Sequence, residues 1–293
     1  MENEELWSTV IGQSQAVSYL QTAVESPVHA YLFIGPEGSG RKQAAFAFAG
    51  ALLSSNSEEG SLRHRQLAVF EQHPDITYVA PQGPSLLVVD SERIIKEASR
   101  SPIESNRKII IVDRFQTAEP EVSASLLKTI EEPSVFNHFI LINNNKSNIL
   151  ETIRSRSIEF KIFLSTSTIN KIIKNIIDLN NIDCKIDFNK TRITPGDFLK
   201  FNNICLENDI DFDKNIIFNI RKLFNLYKNK KNYDYLDFCI FLVNKHFFEK
   251  FKNNKFNDLI ISDRSLIVNK INFMKSLNLN TLNTLSDIEE ILK

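Results

Sequence analysis

The sequence predicts a parallel α/β sheet domain over residues 1–163, followed by an all-helical region. In the first region, amphipathic helical patterns alternate with short apolar runs rich in β-branched residues. This alternation is typical of a parallel sheet whose strands are joined by helices. A glycine-rich loop lies between one of these runs and the helix that follows it. After residue 163, apolar residues recur only at helical spacing, so no further strand is expected.

The individual elements follow from the same patterns. Each predicted strand is a short apolar run bounded by turn-forming residues. The predicted strands are residues 30–34, 76–79, 108–112, 139–142 and 158–163. The predicted helices are residues 14–25, 41–53, 90–100, 120–132, 168–179, 216–227, 235–251, 263–277 and 286–292, with a further helix start at 194–197. Asp90 is expected to cap its helix, and Pro120 suits the first turn of the next one.

Composition limits the class of protein. A chain of 293 residues with 42% hydrophobic residues can bury more than one core, so about two domains are expected. The formal net charge of -1 argues against a protein whose whole surface binds nucleic acid or an anionic membrane. Cys184, Cys205 and Cys239 form no CxxC pair and are predicted to be reduced, buried thiols. Without a signal-peptide pattern or an apolar run of about 18 residues, we expect a soluble, cytoplasmic protein with no membrane segment.

The glycine-rich loop is a degenerate P-loop. A functional P-loop reads GxxxxGK[ST] between a strand and a helix: its backbone N–H groups bind phosphates, its Lys reaches the β- and γ-phosphates, and its hydroxyl holds Mg²⁺. Here Gly35, Gly38 and Gly40 keep the loop, but Arg41 stands at the lysine position and Lys42 at the hydroxyl position. A planar guanidinium is a poor substitute for a compact ammonium, and Lys42 cannot bind Mg²⁺. The pattern therefore predicts a P-loop fold with a damaged nucleotide site.

The second acidic motif of P-loop ATPases is damaged as well. It consists of a buried strand, an Asp for the Mg²⁺ shell and a Glu that activates water. Residues 109–112 supply the strand and Asp113 the carboxylate, but Arg114 replaces the Glu. Because a guanidinium cannot act as a general base, we expect no ATP hydrolysis by this chain. Binding of ATP or ADP without turnover stays an open alternative.

Taken in order, the motifs of residues 7–163 resemble the AAA+ clamp-loader ATPases, and among them the delta-prime family of bacterial DNA polymerase III. The segments that carry the resemblance are residues 11–13, 29–33, 35–40, 73–75, 101–102, 109–113, 125–133 and 155–157. The most specific of them is SLLKTIEEP at 125–133, which resembles the family's helix motif LLKTLEEP. Ser155-Arg156-Ser157 resembles the family's Ser-Arg-Cys motif, with Ser157 in place of the Cys.

The resemblance implies an architecture and a role for Arg156. It implies a AAA+ P-loop core over residues 1–163, a small helical lid over 164–210 and a helical collar for oligomerisation over 211–293. It also implies that Arg156 acts in trans, reaching the ATP site of an adjacent motor subunit. There an arginine finger stabilises the charge that develops on the transferring phosphoryl group. Spacing alone would mark Arg156 as an ordinary surface arginine.

The same resemblance implies partners. They are gamma/tau-like motor subunits, a clamp-opening delta subunit and, through the complex, the sliding clamp and primed DNA. The chain would then be a non-hydrolysing component of the DNA polymerase III holoenzyme during DNA replication. Two alternatives stay open: an active motor subunit or related DNA-remodelling ATPase, and a scaffold or DNA-binding module without the finger role.

One departure concerns zinc. Many relatives bind zinc through four cysteines after the P-loop helix, but residues 54–72 contain no cysteine. His64 and His73 alone cannot form such a site. We interpret His64 as a solvated loop residue and His73 as a turn residue before Pro74, and we expect no zinc and no other cofactor.

Two further polar segments are considered as functional sites: residues 143–145 and a group of three lysines. Residues 143–145 lie where relatives hold the polar side chain that senses the γ-phosphate, and an ordinary turn after a strand explains them equally well. Lys228, Lys230 and Lys231 are interpreted as a solvated helix end rather than a DNA contact.

Overall fold

The computed structural model describes residues 3–55, 61–144, 149–212, 214–253, 258–277 and 280–292. The chain forms two compact units, Met1–Ile172 and Ile173–Lys293. The division of the helical region into a lid and a collar at residue 210 stays a prediction.

The first unit is built on one parallel sheet. Its strands are β1 (Ala30–Ile34), β2 (Ile76–Val79), β3 (Lys108–Val112), β4 (Asn137–Asn143) and β5 (Ile158–Lys161). They lie in the order β2-β3-β4-β1-β5, and every pairing is parallel. The predicted α/β class is therefore confirmed. β4 is longer than predicted at both ends and β5 ends two residues earlier.

Helices cover both faces of this sheet. They are α1 (Asn3–Ser8), α2 (Ser14–Glu25), α3 (Arg41–Ser54), α4 (Ser61–Val69), α5 (Val88–Ala98), α6 (Pro120–Glu131) and α7 (Glu151–Arg154). Because side chains alternate along a strand, Tyr31 and Phe33 of β1 enter the core beneath α1, α2 and α3. Leu32 enters the opposite core beneath α5, α6 and α7. The central helix α3 is buried along almost its whole length, which fixes the loop that precedes it.

The structure corrects two local expectations in this unit. Asp90 does not cap a helix at residue 90, because α5 begins at Val88 and the Asp90 carboxylate instead accepts the backbone N–H of Leu87 at 2.9 Å. His64 is not a solvated loop residue. It lies on α4, a helix that the sequence did not predict, and its side chain is buried.

The second unit contains only helices within the described residues. They are the end of α8 (Thr166–Asn180), α9 (Pro195–Asn208), α10 (Ile216–Lys230), α11 (Asp234–Asn253), α12 (Asp258–Leu277) and α13 (Thr281–Leu292). The helix start predicted at 194–197 is found, because α9 begins at Pro195. Thr194 caps it, accepting the N–H of Asp197 at 3.2 Å. Cys205 and Cys239 are buried free thiols, but Cys184 is exposed, which corrects the expectation for that residue. Among the helices of the described segments, none has an apolar stretch long enough to cross a membrane.

Candidate functional site

The glycine-rich loop joins the carboxyl end of β1 to the first turn of α3. Gly38 and Gly40 have φ values of 72° and 89°, the left-handed region that favours glycine. The loop is held from outside: the Gln13 side chain donates to the Ser39 carbonyl at 2.8 Å, and the Ser39 hydroxyl donates to the Ile162 carbonyl at 3.2 Å. The backbone therefore keeps the shape of a phosphate-binding loop even though its side chains have changed.

Gly35 is required by close packing. A Cβ atom at this position would lie 2.1 Å from the backbone oxygen of Ile162. We expect Gly35→Ala to destabilise the first unit by about 2–3 kcal/mol, because the clash involves backbone that cannot turn aside. Urea unfolding followed by the fluorescence of Trp7, a buried residue of this unit, measures the effect. Gly83→Ala is the control, since a Cβ there meets nothing within 4 Å. Equal stability of the two variants would contradict this account.

The side chain of Lys42 turns away from the loop. Its ammonium lies 2.7 Å from the Glu71 carboxylate and 4.6 Å from the ring centroid of Tyr78. Lys42 thus belongs to the contact between α3 and the segments around α4 and β2. The neighbouring Arg41 is buried, with 6% of its surface exposed. Arg41 supplies no compact ammonium at the lysine position of the loop, and Lys42 supplies no hydroxyl for Mg²⁺.

Asp113 follows β3 at the same edge of the sheet. Its carboxylate accepts the Tyr78 hydroxyl at 2.7 Å and the N–H of Arg114 at 2.7 Å. Burial, together with the charge and hydrogen bond of Asp113, raises the pKa of Tyr78 well above its ordinary value, so the phenol stays a donor. Both oxygens of the carboxylate that would bind Mg²⁺ therefore accept hydrogen bonds from the protein itself.

Arg114 has a structural role in the turn after β3. It has a left-handed backbone with φ of 49°, and its guanidinium donates to the Pro81 carbonyl at 2.6 Å. Its own carbonyl accepts the Thr117 hydroxyl at 2.8 Å. In this position a P-loop ATPase needs a base that activates water, and the guanidinium supplies none.

The strand β4 also ends at this edge. Asn143 is fully buried, and its carbonyl accepts the N–H of Gly35 at 3.2 Å. The N–H of Asn144 donates to the Gln116 side chain at 3.1 Å, and Asn145 lies outside the described residues. Both the sensor interpretation and the turn interpretation of 143–145 stay predictions.

Arg156 lies on the surface between α7 and β5. Its guanidinium lies 3.2 Å from the Glu131 carboxylate at the end of α6 and donates to the Thr152 carbonyl at 3.0 Å. The side chain is 45% exposed, so its charge is accessible from outside the chain. An exposed ion pair of this kind contributes at most about 1 kcal/mol and can be exchanged for a stronger anion.

Arg156 and the P-loop lie at opposite edges of the sheet. Ile158, two residues after Arg156, is in register with Tyr31 near the start of β1. Gly35 is four residues further along β1, or roughly 13 Å at about 3.3 Å per residue. Because the strands are parallel, the segment before β5 is at the amino edge and the loop after β1 is at the carboxyl edge. Arg156 therefore lies at the edge of the sheet opposite the phosphate loop of its own chain.

A second polar cluster lies beside α4. His64, His73 and Glu104 bring three potential ligand atoms within 4.8 Å of one another. The hydrogen bonds do not fit a metal site. His73 Nδ1 accepts the N–H of Asp75 at 3.0 Å, so the neutral ring carries its proton on Nε2, which donates to His64 Nδ1 at 2.7 Å. A metal ligand needs that nitrogen unprotonated. Two histidines and one glutamate also do not provide the four thiolate ligands of the zinc site found in relatives, so we assign no zinc site to this cluster.

Sequence reasoning missed the residues that hold the site's side chains in place. Tyr78, Glu71 and Gln13 contact the altered P-loop or Asp113, and Glu131 contacts Arg156. Glu131 lies in the specific 125–133 motif, which was the available signal. Glu71 lies in a polar turn and Tyr78 on a predicted strand. Neither residue belongs to a motif that would identify it from the sequence.

The parallel sheet and the glycine-rich loop after its first strand define an α/β domain of the P-loop class. A Thermotoga maritima structure described as a DNA polymerase III gamma subunit-related protein shares this fold, with a TM-score of 0.50, 16% identity and coverage of 95% of this chain and 100% of that chain. A family model described as DNA polymerase III, delta subunit, matches residues 12–165, more than half of the chain. The chain belongs to the DNA polymerase III delta' family.

Individual relatives are similar over about half of this chain. The DNA polymerase III subunit delta' of Bacillus subtilis is 30% identical over 149 residues, covering 49% of this chain and 45% of the relative. That of Pseudomonas aeruginosa is 28% identical over 160 residues, covering 53% and 45%. The chain therefore matches less than half the length of these curated relatives.

Proposed function

We propose that this chain is a clamp-loader subunit that does not hydrolyse ATP and that supplies Arg156 to the ATP site of a neighbouring subunit. The observation that carries the proposal is the placement of Arg156. Its side chain is exposed at the sheet edge opposite its own P-loop, where it contacts Glu131, the Thr152 carbonyl and the Ser155 hydroxyl. An arginine in this position has no phosphate to serve within its own chain.

The contacts of the P-loop side chains support the non-hydrolysing part. Lys42 is paired with Glu71, and the Asp113 carboxylate accepts the Tyr78 hydroxyl. Arg114 stands where the water-activating base would be. The alternative of an active motor subunit requires all three positions to rearrange, and the described contacts favour none of these changes.

The proposed partners are those that the family resemblance implies, and relatives named as the delta' and gamma/tau subunits of DNA polymerase III support them. They are gamma/tau-like motor subunits and a delta subunit, with the sliding clamp and primed DNA bound through the complex. Residues 164–210 are proposed as the lid and residues 211–293 as the collar through which the chain joins the ring.

The proposal is tested by reconstitution. The chain is mixed with the motor and delta subunits of its own organism, assembly is followed by size-exclusion chromatography, and ATPase activity is measured with clamp and primed DNA. We expect no hydrolysis by the chain alone and full stimulated activity only when it is included. Hydrolysis by the lone chain, or unchanged motor activity without it, would refute the proposal.

Repairing the P-loop gives a second test. We expect Arg41→Lys combined with Lys42→Thr to create Mg²⁺-dependent ATP binding at least about tenfold tighter than that of the native chain, because the loop backbone already has the required shape. Hydrolysis should stay absent, since Arg114 is unchanged. Titration with a fluorescent ATP analogue measures the binding, and Arg41→Lys alone is the control. Tight Mg²⁺-dependent binding by the native chain would be the contrary result.

A further inference from the structure

We infer that a basic, phenylalanine-lined pocket in the second unit binds single-stranded nucleic acid. The pocket, here called the Phe248 pocket, has a volume of about 740 Å³ and lies between residues 189–192, one face of α11 and the first turns of α12. Cavities that bind ligands in proteins typically have volumes of roughly 300–1,000 Å³. This site is far along the chain from Arg156 and does not depend on the function proposed above.

The first argument is charge. Five cationic side chains line the pocket against one acidic side chain. These are Lys190, Arg192, Lys245, Lys252 and Arg264, with Glu249. Two of the cations have carboxylate neighbours: Lys190 lies 2.9 Å from Asp187 and Lys245 lies 4.0 Å from Glu249.

The other three cations have neutral partners among the described residues. Arg264 donates to the Asn244 side chain at 2.7 Å. Arg192 and Lys252 lie 5.2 and 4.7 Å from the ring centroid of Phe248. Their charges are therefore not balanced locally, in a chain whose net charge is only -1. A concentrated positive charge of this kind attracts an anionic partner.

The second argument is the aromatic content of the same wall. Phe241, Phe248 and Phe251 line the pocket at spacings of seven and three residues, which places them on one face of α11. Phe248 and Phe251 are 40% and 38% exposed. Two partly exposed rings side by side on one helix face, in the wall of a pocket, form an apolar surface suited to a partner.

Rings and cations together favour a nucleic acid over an acidic protein. Single-strand binding sites combine a positively charged groove for the phosphates with aromatic side chains on which bases stack. An acidic peptide would satisfy Arg192, Lys252 and Arg264 but would leave the exposed phenylalanines without a flat apolar partner. Bases carry such a surface at every residue of the strand. We therefore assign the phosphates to the three cations and a base to Phe248. Binding moves a cation that lies over the Phe248 ring onto a phosphate and leaves that face of the ring to the base.

The experiment is fluorescence anisotropy of a labelled oligo-dT of about 15 nucleotides titrated with the full chain. Single-strand affinity falls with salt with a slope of roughly 0.7 per phosphate contact. We expect the triple variant R192E/K252E/R264E to lose at least about tenfold in affinity and to lower the slope by about 2. The control K171E/K174E/K228E makes the same change in net charge on exposed lysines outside the pocket, and it should keep the native slope.

A second variant tests stacking without changing charge. Phe248→Leu should lower the affinity by about fivefold or more and leave the salt slope unchanged. Urea unfolding of each variant checks that the helices stay folded. Equal losses in the two charge variants, or no binding by the native chain at about 100 µM in low salt, would overturn the inference. So would polyaspartate binding as tightly as the oligonucleotide with no effect of Phe248→Leu, a result that would instead identify an acidic polypeptide as the ligand.

Discussion

Replacing Arg156 by alanine is expected to slow ATP hydrolysis at the motor site that this chain serves by about 10³-fold or more. Arginine fingers typically accelerate phosphoryl transfer by about 10³ to 10⁵, which corresponds to roughly 4–7 kcal/mol of barrier. The guanidinium is planar and always charged, so it can bind two oxygens of the transferring group at once. Arg156→Lys keeps the charge but loses this geometry and should recover little of the rate.

The measurement must separate one site from the others in the ring. In a single-turnover experiment with clamp and primed DNA, the Arg156→Ala complex should hydrolyse one ATP fewer per complex in the fast phase. Arg63→Ala is the matched control, because Arg63 is also an exposed arginine of the first unit paired with a glutamate, at 2.9 Å. A fast phase of native amplitude for Arg156→Ala would show that the residue is an ordinary surface arginine.

The partner of Arg156 refines this prediction. In the isolated chain Glu131 lies 3.2 Å from its guanidinium. A phosphate group carries more charge than a carboxylate, so we expect Arg156 to leave Glu131 when a neighbour presents ATP. Glu131→Gln should therefore preserve the fast phase, which separates loss of the arginine from loss of its resting contact.

The centre of the sheet was predictable because β1, β3 and β4 are buried on both faces. β1 and β3 are continuous apolar runs ended by Gly35 and Asp113, and a parallel strand covered by helices has this pattern. Helix α4 was not predicted, since Ser61–Val69 is mostly polar and shows no apolar stripe. Its burial comes from α3 and α1, which pack against it, and a local pattern cannot reveal that.

The damage to the nucleotide site was predictable from residue type, but its geometry was not. Arg41, Lys42 and Arg114 are the wrong residues for ATP chemistry wherever their side chains point. The direction that Lys42 takes depends on Glu71 and Tyr78, which come from other elements of the fold. Likewise, the placement of Arg156 at the edge opposite its own P-loop required the strand register of β1 and β5.

Acid is expected to destabilise the first unit by about 3 kcal/mol between pH 6.5 and 4 through a single residue, His138. The ring lies on β4 with 4% of its surface exposed, and its Nδ1 donates to the Val28 carbonyl at 2.7 Å. The pKa of His138 is lowered from 6.5 to about 4. Burial is the largest cause, the hydrogen bond to Val28 opposes it, and the charges of Arg107 and His29 add to the lowering.

The sign follows from the two states. Above pH 6.5 the imidazole is neutral in both the folded and the unfolded chain, so the stability contribution is fully present. As the pH falls below 6.5 the unfolded chain takes up a proton that the folded chain refuses until about pH 4, and stability is lost over that interval. The full pKa difference corresponds to about 3 kcal/mol. The pKa of His73 is also lowered, by burial and by the charge of His64. His73 therefore also contributes to the loss of stability as the pH falls.

His138→Asn isolates the effect of that residue. The asparagine amide can occupy the position of Nδ1 and donate to the Val28 carbonyl, but it does not titrate. Urea unfolding of both proteins at several pH values, followed by the fluorescence of Trp7, gives the free energy of unfolding of the first unit. The variant should be less stable at pH 7 by about 1–2 kcal/mol, because a buried ring is lost. It should nevertheless lose about 3 kcal/mol less than the native chain on going to pH 4, since one proton uptake is removed. Parallel pH profiles for the two proteins would place the acid sensitivity elsewhere, with the hydrogen-bonded pair His64 and His73 as the next site to replace.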